Sequence, residues 1–379
     1  MRPVLFHIPV SLVNSSWSDI PIYGYGLMLF LAFLACNWLG QRLARRQGID
    51  PKFIPDLVIW LFVSGIIGGR IVFIATKWEE FQRAGLWKAV ALWDGGLVLY
   101  GALFGAMFGY FGYHQFVMRK AGVSHWPMLD VMAPCIALGI AMGRIGCLCT
   151  GCCFGNVACA SAPYPVHFAY GTAPAPTVLT ARGLQTPFGF VLGEHSLLVE
   201  AVEPGTPAED AGLQADDILI QINDKPIRRQ EDLARAETPF KLTVFRDGAA
   251  VTLRAFTPTS LGLHPTQVYE TISMGLLLFF LLSYFPYRRR DGEMMVLLMI
   301  GYGVHRYLNE MLRTDTDPVA FGLTLSQNIS VGILAAGAIL GVAVWKRTPR
   351  AETPPWVEPP PDVPANATAP PESLGETKS

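Results

Sequence analysis

Long apolar stretches separated by short polar segments dominate the pattern along this chain of 379 residues. A helix needs about 20 mainly apolar residues to cross a bilayer. Seven segments have about that length, near residues 22–40, 54–76, 95–117, 129–147, 266–285, 292–311 and 322–345. The pattern therefore predicts an all-α polytopic membrane protein with about seven transmembrane helices.

Clusters of basic residues follow the first, third, fifth and seventh segments. They are Arg42, Arg45 and Arg46, then Arg119 and Lys120, then Arg288, Arg289 and Arg290, and finally Lys346, Arg347 and Arg350. Basic loops stay on the cytoplasmic side of a membrane, which places the N-terminus outside and the C-terminus inside. The N-terminal residues lack the pattern of a cleaved signal peptide, so we expect the first helix to remain.

The composition agrees with this class of protein. Hydrophobic residues make up 51% of the chain and charged residues 16%, a balance that suits lipid-facing helices. The net charge of -1 gives no reason to expect nucleic acid as a partner.

The segment between the fourth and fifth apolar stretches, residues 148–264, should lie outside the cytoplasm. From about Thr186 it alternates apolar and polar residues, with turn signals, as strands do. A small helix is predicted near Pro207 and a hairpin at Asp247-Gly248. The predicted organisation is a membrane body at 1–150 (spans 1–4), a Cys/Ala/Pro-rich loop at 151–185, a mainly β domain at 186–258, a second membrane part at 259–346 (spans 5–7) and a disordered cytoplasmic tail at 347–379.

The mainly β segment contains a specific set of motifs. An FGFVL loop, the run VEPGTPAEDAGLQADDILIQIND and a terminal RDG hairpin together resemble a bacterial PDZ domain. The resemblance implies peptide binding by strand addition, beside the loop formed by Phe188, Gly189 and Phe190. The alternative is a decayed module that serves only as a spacer.

Ionisable side chains inside membrane spans are costly unless paired or hydrated, so they mark candidate sites. The predicted spans and their ends contain Arg70, Asp130, Arg144, His305, Arg306, Glu310 and Arg313. On a helix, Arg306, Glu310 and Arg313 share one face. They form either a structural ion network or an anion site. Arg144 and Arg313 close their spans at the outer end, where guanidinium groups suit the phosphate of a lipid head group.

Motifs of the membrane part resemble, in order and spacing, the prolipoprotein diacylglyceryl transferase family. They are Tyr25-Gly26-Leu27-Met28, Gly68-Gly69-Arg70, Trp93-Asp94-Gly95-Gly96, Gly143-Arg144-Ile145-Gly146, HPTQVYE at 264–270, IGYGVHRYLNEMLR at 300–313 and GLTLSQNIS at 322–330. The resemblance covers nearly all the chain outside 150–262 and the tail. The glycines of these motifs also allow helices to pack closely.

The resemblance implies an enzyme of the bacterial inner membrane with its PDZ-like domain in the periplasm. Such an enzyme moves the diacylglyceryl group of phosphatidylglycerol onto the lipobox cysteine thiol of a prolipoprotein precursor, forming a thioether and releasing glycerol phosphate without a cofactor. Arg144 and Arg313 match the essential arginines of the family and would stabilise the departing phosphate. The implied substrate-binding residues are Tyr25, Arg70, Asp130, Glu270, Glu310, Gly95 and Gly96.

One departure from the family pattern lies in Leu99-Tyr100-Gly101-Ala102, where Tyr100 takes the place of a histidine. Tyr100 is kept as a catalytic candidate, although tyrosine is the weaker base at neutral pH. Either Tyr100 works with help from an arginine, or another group is the base, or the activity has changed.

A second departure follows Arg144, where the family places two asparagines and a glutamate. Here the run GRIGCLCTGCCFG has Cys147, Thr150 and Cys152 at those positions. Four cysteines around a Cys149-x-x-Cys152 core suit a disulfide or redox pair, a soft-metal site or plain packing. No His or Asp pattern accompanies them, so we assign no metal ligand from the sequence.

A second functional hypothesis is a non-catalytic, lipid-binding scaffold or sensor that acts through the PDZ-like domain. The departures at Tyr100 and Cys152 favour the scaffold, whereas Arg144, Arg313 and the HPTQVYE segment favour the transferase. A PDZ-bearing intramembrane protease is disfavoured, because the chain has no His-Glu-x-x-His pair and no Gly-x-Ser-x-Gly elbow.

Overall fold

The computed structural model describes residues 4–8, 20–79, 81, 98–159, 164–171, 173–194, 196–313, 316 and 318–347. Gly95, Gly96 and nearly all of the predicted tail lie outside these residues. Two compact units divide the chain, one drawn from Met1–Cys36, Met132–Phe285 and Arg290–Thr348, the other from Asn37–Val131, Pro286–Arg289 and Pro349–Ser379.

Helices dominate both units. In chain order they are α1 (Gly24–Arg46), α2 (Phe53–Thr76), α3 (Leu99–Tyr113), α4 (His125–Thr150), α5 (Pro174–Ala181), α6 (Pro207–Asp210), α7 (Glu231–Arg235), α8 (Thr266–Tyr284), α9 (Glu293–Glu310) and α10 (Leu325–Trp345). A long helix therefore lies over each of the seven apolar segments, and short helices lie between α4 and α8.

Five of these helices are long and apolar enough to cross a membrane, namely α1, α2, α4, α8 with the short turn that follows it, and α10. The chain is accordingly a polytopic membrane protein. Helix α3 has 15 residues and continues into a π-helical turn at His114–Met118. Helix α9 has 18 residues and carries charged side chains at both ends, from Glu293 to Glu310.

In the second unit, α2 and α3 approach each other through glycines. A Cβ atom at Gly68 would lie 2.7 Å from Gly105 Cα, and one at Gly105 would lie 2.9 Å from Gly68 Cα. Any side chain at either position would force the helices apart, so the small residues of both helices set their separation. The same unit contains a buried ion pair in which Arg288 Nε lies 3.2 Å from Asp130 Oδ2.

In the first unit, α9 packs between α8 and α10. A Cβ atom at Gly301 would meet Leu277 of α8, and one at Gly303 would meet Leu334 of α10. Helix α10 begins with a capping box, in which the Thr324 hydroxyl accepts from Gln327 N and the Gln327 side chain accepts from Thr324 N. This cap fixes where the helix begins.

Residues 186–258, called the insert below, form two small antiparallel sheets. Short hairpins elsewhere in the chain pair β1 (Val4–Ile8) with β2 (Ile20–Tyr23) and β9 (Pro318–Ala320) with β10 (Leu323–Thr324). The strands of the insert are β3 (Phe190–Leu192), β4 (Val199–Val202), β5 (Ile218–Ile222), β6 (Lys225–Pro226), β7 (Leu242–Arg246) and β8 (Ala249–Thr252). Strand β3 pairs with β4, and the second sheet has the order β6-β5-β7-β8.

The insert has its own hydrophobic core. Phe190, Val199, Leu219, Phe240 and Leu242 are among its buried members. The hairpin predicted at Asp247-Gly248 joins β7 to β8, and both turn residues have positive φ, as a two-residue hairpin of this kind requires. The helix predicted near Pro207 is α6.

Backbone hydrogen bonds join the two ends of the segment that contains the insert, at a neck formed by residues 155–158 and 262–264. Gly155 N donates to His264 O at 3.0 Å, Ala158 N to Gly262 O at 2.8 Å, and His264 N to Asn156 O at 3.0 Å. A second apolar cluster, which includes Phe154, Phe168 and Leu263, packs beside the neck.

One buried carboxylate links the strands of the insert. Arg246 donates from Nε to Asp217 Oδ1 at 2.7 Å and from Nη2 to Oδ2 at 2.6 Å, and Gln214 N donates to Oδ2 at 3.0 Å. Burial alone would raise the pKa of Asp217, but the hydrogen bonds from Arg246 and Gln214 outweigh it, so the pKa is lowered.

We expect Asp217→Ala to destabilise the insert by about 3 kcal/mol, because Arg246 would lose its buried partner. Since the pKa of Asp217 is lower in the folded chain, its contribution is present above about pH 4 and is lost as the pH falls through the folded-state value. Hydrogen exchange of the β5 and β7 amides in the full chain measures this stability.

Glu231→Ala is the matched control, because Glu231 forms only an exposed ion pair with Arg235 at 3.8 Å. Such a pair contributes at most about 1 kcal/mol. Equal exchange rates in the Asp217 and Glu231 variants would contradict the proposed role of the Asp217 carboxylate.

Candidate functional site

A buried carboxylate holds Arg144 near the end of α4. Arg144 Nε lies 3.0 Å from Oε1 of Glu270, a residue in the first turns of α8 that is 1% exposed. Asn309 Nδ2 of α9 donates to the other carboxylate oxygen at 3.1 Å. Three helices thus meet at Glu270.

A second buried carboxylate, that of Glu310, lies at the end of α9. Its Oε2 atom is 2.8 Å from Arg306 Nη2 and 3.6 Å from Arg313 Nη1. The Thr324 hydroxyl donates to its Oε1 atom at 3.2 Å, which ties the start of α10 to the same group. The Arg-Glu-Arg set expected from helical spacing is therefore present.

These two groups form one cluster, because Arg144 and Arg313 both act electrostatically on Cys153, and Glu270 and Arg306 both act on His305. Three guanidinium groups against two carboxylates give the cluster a formal net charge of +1. Glu270 engages Nε of Arg144, and the described residues provide no hydrogen-bond partner for the two Nη groups of Arg144. Guanidinium Nη groups bind phosphate with two parallel hydrogen bonds, so the cluster suits one anion.

The loop after α4 closes the cluster from one side. The Gln267 side chain donates to Cys152 O and Thr266 Oγ1 donates to Cys153 O, both at 2.7 Å. Farther along, Asn156 N donates to Leu312 O at 2.7 Å. These bonds hold the end of α4 against the start of α8 and the end of α9.

Tyr25 lies against the same end of α4. A Cβ atom at Gly146 would be 2.9 Å from Tyr25 Cδ2, so a side chain there would displace the Tyr25 ring. Tyr25 therefore contacts the turn that carries Arg144, and its ring is 41% exposed.

The predicted residues Arg70, Asp130 and Tyr100 belong to the second unit. Arg70 is buried, with its guanidinium carbon 5.3 Å from the centre of the Phe73 ring. Asp130 pairs with Arg288, and Tyr100 lies in the first turn of α3, half-buried. The substrate roles of these residues stay predictions.

Several residues that shape the cluster were missed by sequence reasoning. Asn309, Thr324 and Gln267 contact its carboxylates or its loop. Two signals were readable, since Thr324-x-x-Gln327 is a capping-box pattern and Gln267 shares a helix face with Glu270. Nothing in the sequence indicated that Arg288 would pair with Asp130.

No disulfide bond joins the cysteines of the described residues. The Sγ atoms of Cys147, Cys152 and Cys153 lie within 4.8 Å of one another, and this is the one group of three or more metal-ligating side chains found among the described residues.

The helices and the charged cluster define a polytopic membrane protein with a buried, cationic site at the ends of its helices. The sequence model of the prolipoprotein diacylglyceryl transferase family matches residues 13–343. The chain belongs to this family.

Three relatives share one name, and two of them match this chain over most of their own length. A phosphatidylglycerol--prolipoprotein diacylglyceryl transferase from Rhodopirellula baltica is 28% identical over 86% of this chain and 73% of its own length. The protein of that name from Clostridium tetani is 25% identical over 89% of this chain and 95% of its own. One from Thermosynechococcus vestitus is 39% identical over a shorter region, 34% of this chain and 46% of its own.

Among solved structures, the HtrA3 PDZ domain bound to a phage-derived ligand is similar to part of the chain. It is 18% identical and covers 26% of this chain and 85% of its own, with a TM-score of 0.17. A score this low does not establish a shared fold.

Proposed function

We propose that the chain transfers the diacylglyceryl group of phosphatidylglycerol to a cysteine thiol of a prolipoprotein precursor. The observation that carries the proposal is the buried cluster of three arginines and two glutamates, with its excess positive charge. The family of the chain and the names of its relatives support this reaction, and nothing in them favours the scaffold alternative.

As the reaction proceeds, negative charge develops on the phosphate of the leaving group. The thiol sulfur bonds to the glyceryl carbon while the bond from that carbon to the phosphate oxygen breaks, and glycerol phosphate leaves with the electron pair. The thiol proton passes to a base. Donors already aimed at the leaving oxygen lower the barrier, because they need no reorganisation as the charge develops.

Arg144 is suited to supply these donors. Glu270 holds Nε of Arg144, and Asn309 holds Glu270, so the guanidinium is fixed while its Nη groups can still donate to a ligand. Arg313, 3.6 Å from Glu310, is the second candidate to contact the phosphate. Arg306 and Thr324 then keep the Glu310 charge compensated.

The other predicted site residues enter the proposal in supporting roles. Tyr100 is the candidate to receive the thiol proton with the help of an arginine. Tyr25, Arg70, Asp130, Glu270, Glu310, Gly95 and Gly96 are the candidates that bind or orient the substrates.

Arg144→Ala should lower turnover at least about 100-fold, because one fixed donor to the developing charge is lost. Arg144→Lys should restore only part of it, since lysine cannot bind phosphate with two parallel hydrogen bonds. Purified protein in detergent, given phosphatidylglycerol and a lipobox peptide, is followed by glycerol phosphate release and by the mass of the peptide cysteine.

Arg235→Ala is the control for loss of an arginine, because Arg235 is exposed in the insert and 3.8 Å from Glu231. Full turnover in Arg144→Ala would remove Arg144 from the reaction. Lipid binding without turnover in the unaltered chain would support the scaffold instead. If the unaltered chain turns over and Arg144→Ala does not, Tyr100→Phe then tests whether Tyr100 takes the thiol proton.

We propose further that all seven long helices cross the bacterial inner membrane, with the N-terminus and the insert in the periplasm and the C-terminus in the cytoplasm. The alternating basic clusters support this orientation. Cys159, which is exposed in the loop before the insert, should react with a membrane-impermeant maleimide added to intact spheroplasts. Cys159→Ser corrects for the other thiols, and labelling that appears only after lysis would reverse the orientation.

For the insert we propose a PDZ-like role, the binding of a peptide C-terminus by strand addition. Among the described strands β3 pairs only with β4, which leaves its other edge open beside Phe188, Gly189 and Phe190. Gln230, just before α7, donates to Gly193 O at 2.8 Å and to Ser196 O at 2.9 Å. These bonds fasten α7 to the β3–β4 turn. In the proposal, α7 and this turn form one end of a peptide-binding groove along β3.

Peptides with a free C-terminal carboxylate should bind the full chain at least about tenfold more tightly than amidated copies, because the loop before β3 would receive the carboxylate. Gly189→Ala should weaken this binding, since Gly189 has φ of +85° and a Cβ atom there would meet Thr206. Lys225→Ala, which changes an exposed residue of β6 away from β3, is the control, and fluorescence anisotropy is the measurement. Equal affinity for both peptide forms would favour the spacer alternative.

A further inference from the structure

The three thiols of Cys147, Cys152 and Cys153 lie beside the charged cluster but have no part in the proposed reaction. Cys147 is in the last turn of α4, and the other two lie on the loop that follows. Their Sγ atoms are within 4.8 Å of one another, and all three side chains are half-buried. The three sulfurs are therefore only partly covered by the protein.

We propose that Cys147, Cys152 and Cys153 bind one thiophilic d10 cation, Zn²⁺ or Cu⁺, in a site that stabilises the end of α4. Thiolate sulfur is a ligand that both ions prefer. Three sulfurs at about 2.3 Å from one ion are about 3.8 Å apart, so the arrangement needs only small side-chain movements. Each thiol binds as the thiolate, and three protons are released to solvent.

The local charges favour this chemistry. Arg144 is close enough to act electrostatically on Cys147 and Cys153, and Arg313 acts on Cys153. Nearby guanidinium groups stabilise thiolates. A disulfide would join only two of the three sulfurs, whereas a single ion uses all three.

The site would act on Arg144 through the backbone. The carbonyl groups of Cys152 and Cys153 accept hydrogen bonds from Gln267 and Thr266, in the first turn of α8. An ion bound to Cys147 as well joins α4 to this loop, and therefore to the helix that carries Glu270. The proposed ion is structural, and its binding does not depend on the transferase reaction.

Metal content of the purified, fully reduced full chain tests the proposal without any substrate. After chelator treatment, the protein is titrated with Zn²⁺, and in a separate anaerobic arm with Cu⁺, and then desalted. We expect one ion per chain in at least one arm. The number of thiols that react with a disulfide reagent should fall by three on loading, and the thermal unfolding temperature should rise.

Cys147→Ser, Cys152→Ser and Cys153→Ser should each lower the affinity at least about tenfold, because a hydroxyl is a poor ligand for these ions. Cys159→Ser, which changes an exposed cysteine outside the group, should bind as the unaltered chain does. If one of these three cysteine variants does not fold, the number of reactive thiols in the unaltered chain, with and without the ion, tests the proposal by itself.

Three results would overturn the site. One is the absence of a bound ion in both arms. The second is unchanged affinity in Cys152→Ser and Cys153→Ser. The third is a reactive-thiol count that does not fall on loading, including the case in which two of the three thiols are recovered as a disulfide.

Discussion

Two carboxylates buried among arginines are the constraint on which the site depends. Glu270 and Glu310 are 1% and 2% exposed, and a charge at such a position is tolerated only when it is paired. Each carboxylate contacts helices other than its own. Glu270 of α8 contacts α4 and α9, and Glu310 of α9 contacts the start of α10. Pairing therefore fixes the positions of three helices, α8, α9 and α10, relative to Arg144 on α4.

The same pairing leaves the site with unused positive charge. An arginine held by a carboxylate through one nitrogen keeps its shape but retains donors for another anion, as Arg144 does. A cluster with equal numbers of charges would attract a phosphate less. The proposed transferase chemistry thus follows from the count of charges and from where each guanidinium is held.

The sequence predicted the helices well because long apolar runs have few alternatives in a membrane. It also predicted the Arg306, Glu310 and Arg313 set, since helical spacing alone places these residues on one face. Contacts between segments that are distant in sequence were harder to predict. The pairing of Asp130 with Arg288 depends on how helix ends meet, which no local pattern encodes.

The cysteines show the same limit. Their spacing left disulfide, metal and packing alternatives open, because proximity in the chain does not give the distance between sulfur atoms. The structure brings Cys147 together with Cys152 and Cys153, and Cys149 is not part of the group. The backbone turns sharply between Gly151 and Cys153, which both have positive φ, and this turn produces the arrangement. The residue types alone do not reveal the turn.

The neck has a consequence for how such a chain can change. Arg144 and Glu270 are far apart in sequence, with the insert between them, yet the backbone is closed by hydrogen bonds from Gly155 and Ala158 to His264 and Gly262. Whatever lies beyond the neck can lengthen, shorten or be exchanged without moving the arginine relative to its partner. The neck is thus an insertion point, at which the attached domain can differ while Arg144 and Glu270 keep their positions.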